Sequence, residues 1–214
     1  EVDIAPRRRQ DLVQWLTKPT PERQSYYEDT WRDVCRTRFF HSLYALCDLA
    51  QNNVWPADRW REALQTWAEE EAVLRSWRYA SRLVITMPDN LLHEIAQSLT
   101  WWMEAVSKSV NSNENMLLKL CHRVLALPIE VGSAAQIIHN GVETYDAVGT
   151  AINHPIGHVT QVLINQWFEL NPNDNDMLPP HLKPIFTSLC DEEVERFRHG
   201  RVLLGSRLIA FFRV

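Results

Sequence analysis

Two histidines in the second half of the chain, His154 and His158, have a spacing that could bind a metal ion. Residues four apart lie on one face of a helix, which is how zinc peptidases bring two imidazoles to one metal. Those enzymes carry a glutamate directly after the first histidine, and here Pro155 stands in that place. No third ligand is marked by its spacing, so the sequence favours a capping or polar role for this pair over a metal site.

Other polar clusters are weaker candidates for chemistry. The acids Glu69–Glu71 point in different directions on a helix, so they cannot converge on one atom. The loop Asn171–Asp176 has oxygen ligands like a calcium loop, but Asp176 and Leu182 replace the required glycine and glutamate. GxSxG, Walker and CxxC motifs are absent. We therefore predict no catalytic residue, no metal ligand and no cofactor in this sequence.

Composition narrows the class of protein. Among 214 residues there are only six glycines but nine tryptophans, which is typical of helix-on-helix layers rather than of nucleotide-binding sheets. The net charge is −5 with both signs interspersed, so no nucleic-acid partner is expected.

No apolar run reaches the roughly 18 to 20 residues of a membrane span. The four cysteines lie far apart in apolar stretches, which indicates reduced core thiols in a cytoplasmic protein.

The elements that must position the two histidines lie in Asp146–Asn171. Its apolar residues are spaced three or four apart, which is a helical period. Proline removes an amide donor and clashes with the preceding turn, so the helix should stop at Asn153–His154 and restart with Pro155 as its first residue. We expect a short helix, a corner and a long helix that ends near Leu170.

The rest of the chain also has helical periodicity. We predict one long helix from Thr30 to about Gln51, another from Pro88 to Val106, a loop at 129–144 that contains Asn140–Gly141, and two helices divided near His199–Gly200. We predict core anchors rather than a base-stacking groove from four tryptophans at near-helical spacing, Trp55, Trp60, Trp67 and Trp77. The pattern contains no convincing strand.

The predicted architecture is all-α, with antiparallel helix pairs stacked as a solenoid-like or superhelical array. Neither the tetratricopeptide nor the HEAT signature is present. Residues 1–214 are expected to form a single helical region, with a sub-boundary in the loop 129–144. The sequence lacks an initiator methionine and ends in the apolar run Ile209–Val214, so we expect it to be a fragment of a longer protein.

Three segments carry a resemblance to a known group of proteins. They are TAINHPIGHVTQVLINQWFEL from Thr150, LPPHLKPIF from Leu178 and VERFRHGRVLLGSRLIAFFRV from Val194. Over Asp146–Val214 the sequence resembles a helical domain of unknown function that follows the sirtuin-like domain of some bacterial proteins. Some of those proteins are antiphage defence factors whose sirtuin-like domain hydrolyses NAD once infection is sensed.

The resemblance implies a non-catalytic region that holds the enzyme in check and recognises a phage component. The implied partners are its own N-terminal sirtuin-like domain and a phage protein, with a homo-oligomer as a further expectation. The sirtuin-like domain is not in this sequence, so no catalytic residue is carried over. Polar groups recur among aliphatic helices at the Pro155 corner and near residues 196–201, and they form the candidate interaction surface: Asn153, His154, His158, Arg196, Arg198, His199 and Arg201.

Three alternatives stay open from the sequence. The same polar groups could cap helix ends and bridge neighbouring helix pairs. The chain could be a metal-dependent hydrolase that uses His154, His158 and a carboxylate. It could also be a purely structural module for oligomerisation or scaffolding.

Overall fold

A computed structural model describes residues 5–18, 30–109, 115–133, 135–139, 142–173 and 176–207. The regular secondary structure in these ranges is helical apart from one antiparallel hairpin, so the fold class is all-α, as predicted. No helix within them is long and apolar enough to cross a membrane. The chain divides into two compact units, Glu1–Ala105 and Val106–Val214.

The first unit is built from seven helices within its described residues. They are α1 (Arg9–Leu16), α2 (Thr30–Thr37), α3 (Phe39–Gln51), α4 (Ala57–Trp67), α5 (Glu70–Val84), α6 (Asp89–Glu94) and α7 (Ala96–Ser107), the last of which extends to the start of the second unit. Among them, α1 packs against α3, and α2 packs against both α3 and α4.

Tryptophans anchor the core of this unit. Trp60 and Trp67 are fully buried and Trp77 nearly so, which confirms their predicted role. Trp55 is half-buried, with its ring centroid 6.0 Å from that of Trp60. The Trp102 indole N–H donates to Ser76 Oγ at 2.8 Å, so this indole satisfies its polar atom inside an apolar core.

A regular set of side-chain hydrogen bonds joins α2, α4 and α7. Arg32 donates to Gln65 at 3.0 Å, and Gln65 donates to Ser98 at 3.0 Å, each across a separation of 33 residues. Arg36 donates to Glu69 at 2.7 Å across the same separation of 33 residues. Three contacts of the first unit therefore span the same number of residues along the chain, with Glu69 lying just before α5.

Two helices that the sequence predicted as continuous are interrupted. Arg38, with φ −130° and ψ 54°, separates α2 from α3, and Ile95, with φ −104° and ψ 12°, separates α6 from α7. No proline or glycine marks either break. The break at Arg38 lets Phe39 point into the core, where its ring lies 5.3 Å from that of Trp67, so tertiary packing overrides the local helical preference.

The second unit holds the segment with the two histidines. Its elements are α8 (Asn115–Ala126), β1 (Ala135–His139), β2 (Val142–Asp146), α9 (Ala147–Ile152), α10 (Pro155–Phe168), α11 (Lys183–Cys190), a 3-10 turn (Glu195–Phe197) and α12 (Arg198–Ser206). The predicted corner is confirmed, because α9 ends at Ile152 and Pro155 is the first residue of α10. After α10, Asn171 adopts a left-handed conformation with φ 47°.

One prediction for this unit is wrong. The segment 129–144 is not all loop, because β1 and β2 pair in an antiparallel register that joins Ala135 to Asp146 and His139 to Val142. The intervening sequence Asn-Gly favours two-residue hairpin connections.

The division expected near His199–Gly200 lies between Phe197 and Arg198, where the 3-10 turn meets α12, and α12 runs through both residues. Residues 208–214 lie outside the described ranges.

All four cysteines are free thiols. Cys35 and Cys121 are buried and Cys47 is half-buried, whereas Cys190 is exposed on α11 and is not the core thiol that was expected. Burial raises the pKa of Cys121 to about 12. That thiol therefore stays protonated at neutral pH and behaves as a small apolar side chain.

Candidate functional site

Three polar side chains of the second unit converge on one stretch of backbone. His154 Nε2 lies 2.9 Å from the carbonyl oxygen of Glu130, and His199 Nε2 lies 2.6 Å from that of Val131. Arg198 donates to the carbonyl of Gly132 at 2.9 Å. We call these three side chains and the carbonyls of residues 130–132 the histidine cluster. It joins the start of α10 and the start of α12 to the segment that precedes the hairpin.

His154 is the N-cap of α10. Its Nδ1 accepts a hydrogen bond from the backbone N–H of Ile156 at 3.2 Å, so the ring proton is on Nε2, which donates to Glu130. Both ring nitrogens of the neutral imidazole are thereby engaged. Burial lowers the pKa of His154, and the neighbouring His199, His158 and Arg198 lower it further, against the opposing effect of the Glu130 carbonyl.

His154 and His199 also contact each other directly. Their rings are stacked, with centroids 4.1 Å apart and an angle of 30° between the planes. His199 is only 2% exposed. A positive charge on His154 would therefore lie against a buried ring, which favours the neutral form of His154, in line with its lowered pKa.

Arg198 connects the cluster to the 3-10 turn. In addition to Gly132, its guanidinium donates to Glu195 at 3.0 Å. Gly132 has φ 65°, a left-handed conformation that glycine adopts without steric cost. The glycine therefore allows the chain to turn so that its carbonyl meets the arginine.

Two glycines allow the helices around the cluster to approach closely. A Cβ on Gly157 would lie 1.7 Å from the carbonyl oxygen of Ala151, at the end of α9. A Cβ on Gly200 would lie 3.0 Å from both Leu189 and Thr160. Both glycines therefore lie at helix contacts that a larger side chain would disrupt.

The remaining predicted surface residues are placed as follows. Asn153 is exposed and donates to the Gly149 carbonyl at 2.8 Å, Arg196 is exposed with its guanidinium 4.8 Å from the Phe197 ring, and Arg201 donates to the Val194 carbonyl at 3.0 Å. His158 is only 8% exposed. Helix capping and bridging account for several of these contacts, and the role of the set as an interaction surface stays a prediction.

The chemistry available to the cluster follows from these bonds. His154 has no ring nitrogen left for a metal ion, because each nitrogen already has a backbone partner. Within the described residues, no group of three or more His, Cys, Asp or Glu side chains is placed to hold a metal. The observed bonds link the starts of α10 and α12 to the backbone of residues 130–132.

The acceptors of the cluster are not predictable from the sequence. They are backbone carbonyls at 130–132, and every residue has a carbonyl, so no residue type signals them.

A cavity of about 370 Å³ in the first unit was also not predicted; it is lined by Arg32, Arg36, Gln65, Thr66, Ala68, Glu69 and Trp101. There, a hydrogen bond from Arg36 lowers the pKa of Glu69, and Trp101 exposes 53% of its surface.

Comparisons with known proteins give no independent assignment. No protein-family model, no curated protein and no solved structure matches the chain.

Proposed function

We propose that this chain is the non-catalytic regulatory and recognition region of a bacterial sirtuin-like antiphage protein that hydrolyses NAD in the cytoplasm. The support is the resemblance over Asp146–Val214. The observation that carries the proposal is that residues from two of the resembling segments meet in one place: His154 and His199 stack on each other and bind adjacent carbonyls.

In this proposal the buried and the exposed members of the predicted surface have different tasks. His199 is 2% exposed, and Gly157 and Gly200 lie at tight helix contacts, so they hold the region in shape. Asn153 and Arg196 are exposed, so they are the residues that contact the partner, a phage protein or the sirtuin-like domain. Arg196 is the better probe of the two, because it is an exposed residue that carries a charge, and its guanidinium lies beside the Phe197 ring.

The test is NAD loss after phage infection in cells that express this region joined to its sirtuin-like domain. Arg196→Ala is expected to delay or abolish NAD loss while the thermal melting temperature of the protein is unchanged. Lys183→Ala, at the exposed start of α11, is the matched control and should respond like the parent. Normal NAD loss in both Arg196→Ala and Asn153→Ala would reject this surface as the site of recognition.

We also propose that the helix pairs stack as a solenoid-like array. The support lies in the first unit, where the Arg32–Gln65, Gln65–Ser98 and Arg36–Glu69 contacts all span 33 residues. Constant steps of this kind are typical of helix pairs that contact only their neighbours. Small-angle X-ray scattering tests this, because a radius of gyration near the roughly 17 Å of a compact domain of this length would contradict it.

A further inference from the structure

A group of large apolar side chains lies on the outer sides of α3 and α5 in the first unit. The exposed fractions are 41% for Phe40, 48% for Tyr44, 55% for Leu74 and 46% for Tyr79. The rings of Phe40 and Tyr79 are 5.0 Å apart, and those of Phe40 and Tyr44 are 6.0 Å apart. Scattered apolar residues are ordinary on a protein surface, but contiguous ones mark a binding surface. We call Phe40, Tyr44 and Tyr79, whose rings are in contact, the aromatic patch.

The buried side of α5 is separate from the side that carries the exposed residues. Helix α5 already packs its inner side into the core through Val73, Trp77, Ala80 and Val84, which are buried. Its outer side presents Leu74 and Tyr79, interleaved with exposed arginines at positions 75, 78 and 82. An ordinary solvent-facing stripe at these positions would be polar throughout.

Arginines are placed directly on the aromatic rings. Arg75 lies 4.9 Å from the Phe39 ring centroid, Arg78 lies 5.4 Å from that of Tyr79, and Arg9 lies 5.3 Å from that of Tyr44. Arg9 is also paired with Asp48. Within the part of the chain that the structure describes, no carboxylate lies at ion-pair distance from Arg75 or Arg78. The patch is therefore apolar and positively charged together.

We propose that the aromatic patch and its arginines bind an acidic protein segment that also carries apolar side chains. Carboxylates of such a segment would pair with Arg75 and Arg78, and its apolar side chains would cover Phe40 and Tyr79. Tyrosine, phenylalanine and arginine are enriched at protein interfaces. An arginine whose guanidinium is already held over an aromatic ring loses less side-chain freedom on binding than an arginine that moves freely. Binding to it therefore costs less entropy. This inference does not rest on the sirtuin-like assignment.

Single-stranded nucleic acid fits this surface less well than a protein does. Bases bind to such surfaces by stacking on free aromatic faces. Tyr44 already has Arg9 and Phe40 against its ring, and Tyr79 has Arg78 and Phe40.

The first test is selection of peptides from an unbiased display library on the 214-residue chain, with removal of those that still bind the Arg78→Glu variant. We expect the selected peptides to be rich in Asp and Glu next to apolar residues. In fluorescence anisotropy, Arg78→Glu and Tyr79→Ala should each raise the dissociation constant of the best labelled peptide by about tenfold or more, the range of interface hot spots. Added salt should also lower the affinity for the peptide.

Matched controls come from exposed residues of the second unit. Tyr145→Ala replaces a tyrosine that is 69% exposed, and Arg207→Ala replaces an exposed arginine; both should bind the peptide like the parent. Tyr79→Ala removes contacts to Phe39 and Phe40, which lowers stability. Arg78→Glu reverses an exposed charge and removes only the contact of Arg78 with the Tyr79 ring, so it keeps the test valid even if Tyr79→Ala does not fold.

Several outcomes would overturn the proposal. Selection that yields no peptides sensitive to Arg78→Glu, or yields neutral or basic ones, would show that the surface does not take an acidic segment. Binding of a labelled single-stranded oligonucleotide that is lost in Arg78→Glu would assign it to nucleic acid. Self-association in sedimentation velocity that Tyr79→Ala removes would assign it to a second copy of the chain.

Discussion

His154 uses both ring nitrogens on the backbone, one as the cap of α10 and one as a donor to Glu130. Only the neutral ring with its proton on Nε2 can do both, because a protonated Nδ1 can no longer accept the Ile156 N–H. Acid therefore acts on this residue in two ways. It removes the cap, and it places a cation beside His199 and Arg198.

The first prediction is that stability falls as the pH is lowered through about 6.5, the ordinary histidine pKa. The pKa of His154 is lowered in the folded state, so the unfolded chain takes up the proton first. The stabilisation is complete above that pH and is lost as the pH falls toward the lowered pKa. Since His154 is only half-buried, the slope should stay below the limit of about 1.4 kcal/mol per pH unit. Urea titrations at several pH values measure it.

The variant His154→Asn distinguishes the contribution of His154 to the pH dependence of stability from that of the other histidines. Asparagine is a good N-cap but does not titrate in this range, so the variant should lose part of the pH dependence and keep most of the stability at pH 8. His181→Ala, at an exposed histidine, should keep the full pH dependence. An unchanged profile in His154→Asn would contradict the first prediction.

The second prediction concerns Ser76, a buried serine in the first unit. Its hydroxyl accepts the Trp102 indole N–H at 2.8 Å and donates to the Val73 carbonyl at 2.9 Å. Ser76→Ala leaves the buried indole without this acceptor, which should cost about 1 to 3 kcal/mol of unfolding free energy. Ser42→Ala is the control, because buried Ser42 only donates within its own helix, to Phe39. Equal costs in the two variants would argue against a role for the indole bond.

At the scale of elements, glycine contacts fix how closely helices approach. The third prediction is a graded series of glycine-to-alanine variants. Gly157→Ala forces a Cβ to within 1.7 Å of a backbone oxygen and should cost about 3 kcal/mol or more, the upper range for overpacking. Gly200→Ala meets two side chains at 3.0 Å and should cost less, since side chains can shift. Thermal and urea unfolding measure both.

Gly205→Ala is the control for this series. Gly205 lies in α12 with nothing within 4 Å of an added Cβ, so alanine should stabilise the helix by up to about 1 kcal/mol. A series in which all three variants lose similar stability would contradict this prediction, because the cost would then not depend on how closely the added Cβ approaches its neighbours.

The sequence predicts the ends of a helix best where a residue at that position causes the helix to end. Pro155 predicts the corner between α9 and α10 because proline itself cannot continue the earlier helix. The break at Arg38 has no such residue and depends on Phe39 reaching Trp67, a contact between distant positions. The hairpin was missed because β1 and β2 are only five residues each, and short apolar runs do not distinguish strand from helix.

Sites that are built from two distant segments were not predicted, because their contacts join positions far apart in the sequence. The histidines of the cluster were named as candidates, but their acceptors at residues 130–132 carry no side-chain signal. The aromatic patch joins Phe40 to Tyr79 across two helices, and each helix read separately shows only a few apolar residues on a polar side.

For the whole molecule, the division into two compact units leads to a fourth prediction. Each unit has its own buried core, so a local defect should loosen one unit more than the other. Gly157→Ala should increase deuterium uptake in peptides from the second unit and leave those of α2 to α5 near their parental values. Hydrogen exchange with mass spectrometry resolves the two regions.

Ser76→Ala supplies the reciprocal measurement. Its defect lies in the first unit, so the increased uptake should appear there instead. Uptake that rises equally in both units for either variant would show that the chain unfolds as one cooperative body.

The exposed indole of Trp101 has an optical consequence. All nine tryptophans lie in described ranges, and Trp101 alone among them is classed as exposed. A neutral quencher such as acrylamide should therefore act first on emission from this indole, at the long-wavelength edge of the spectrum. Because Trp101 lines the cavity with Arg32 and Arg36, intrinsic fluorescence gives a label-free signal for any small molecule that enters it.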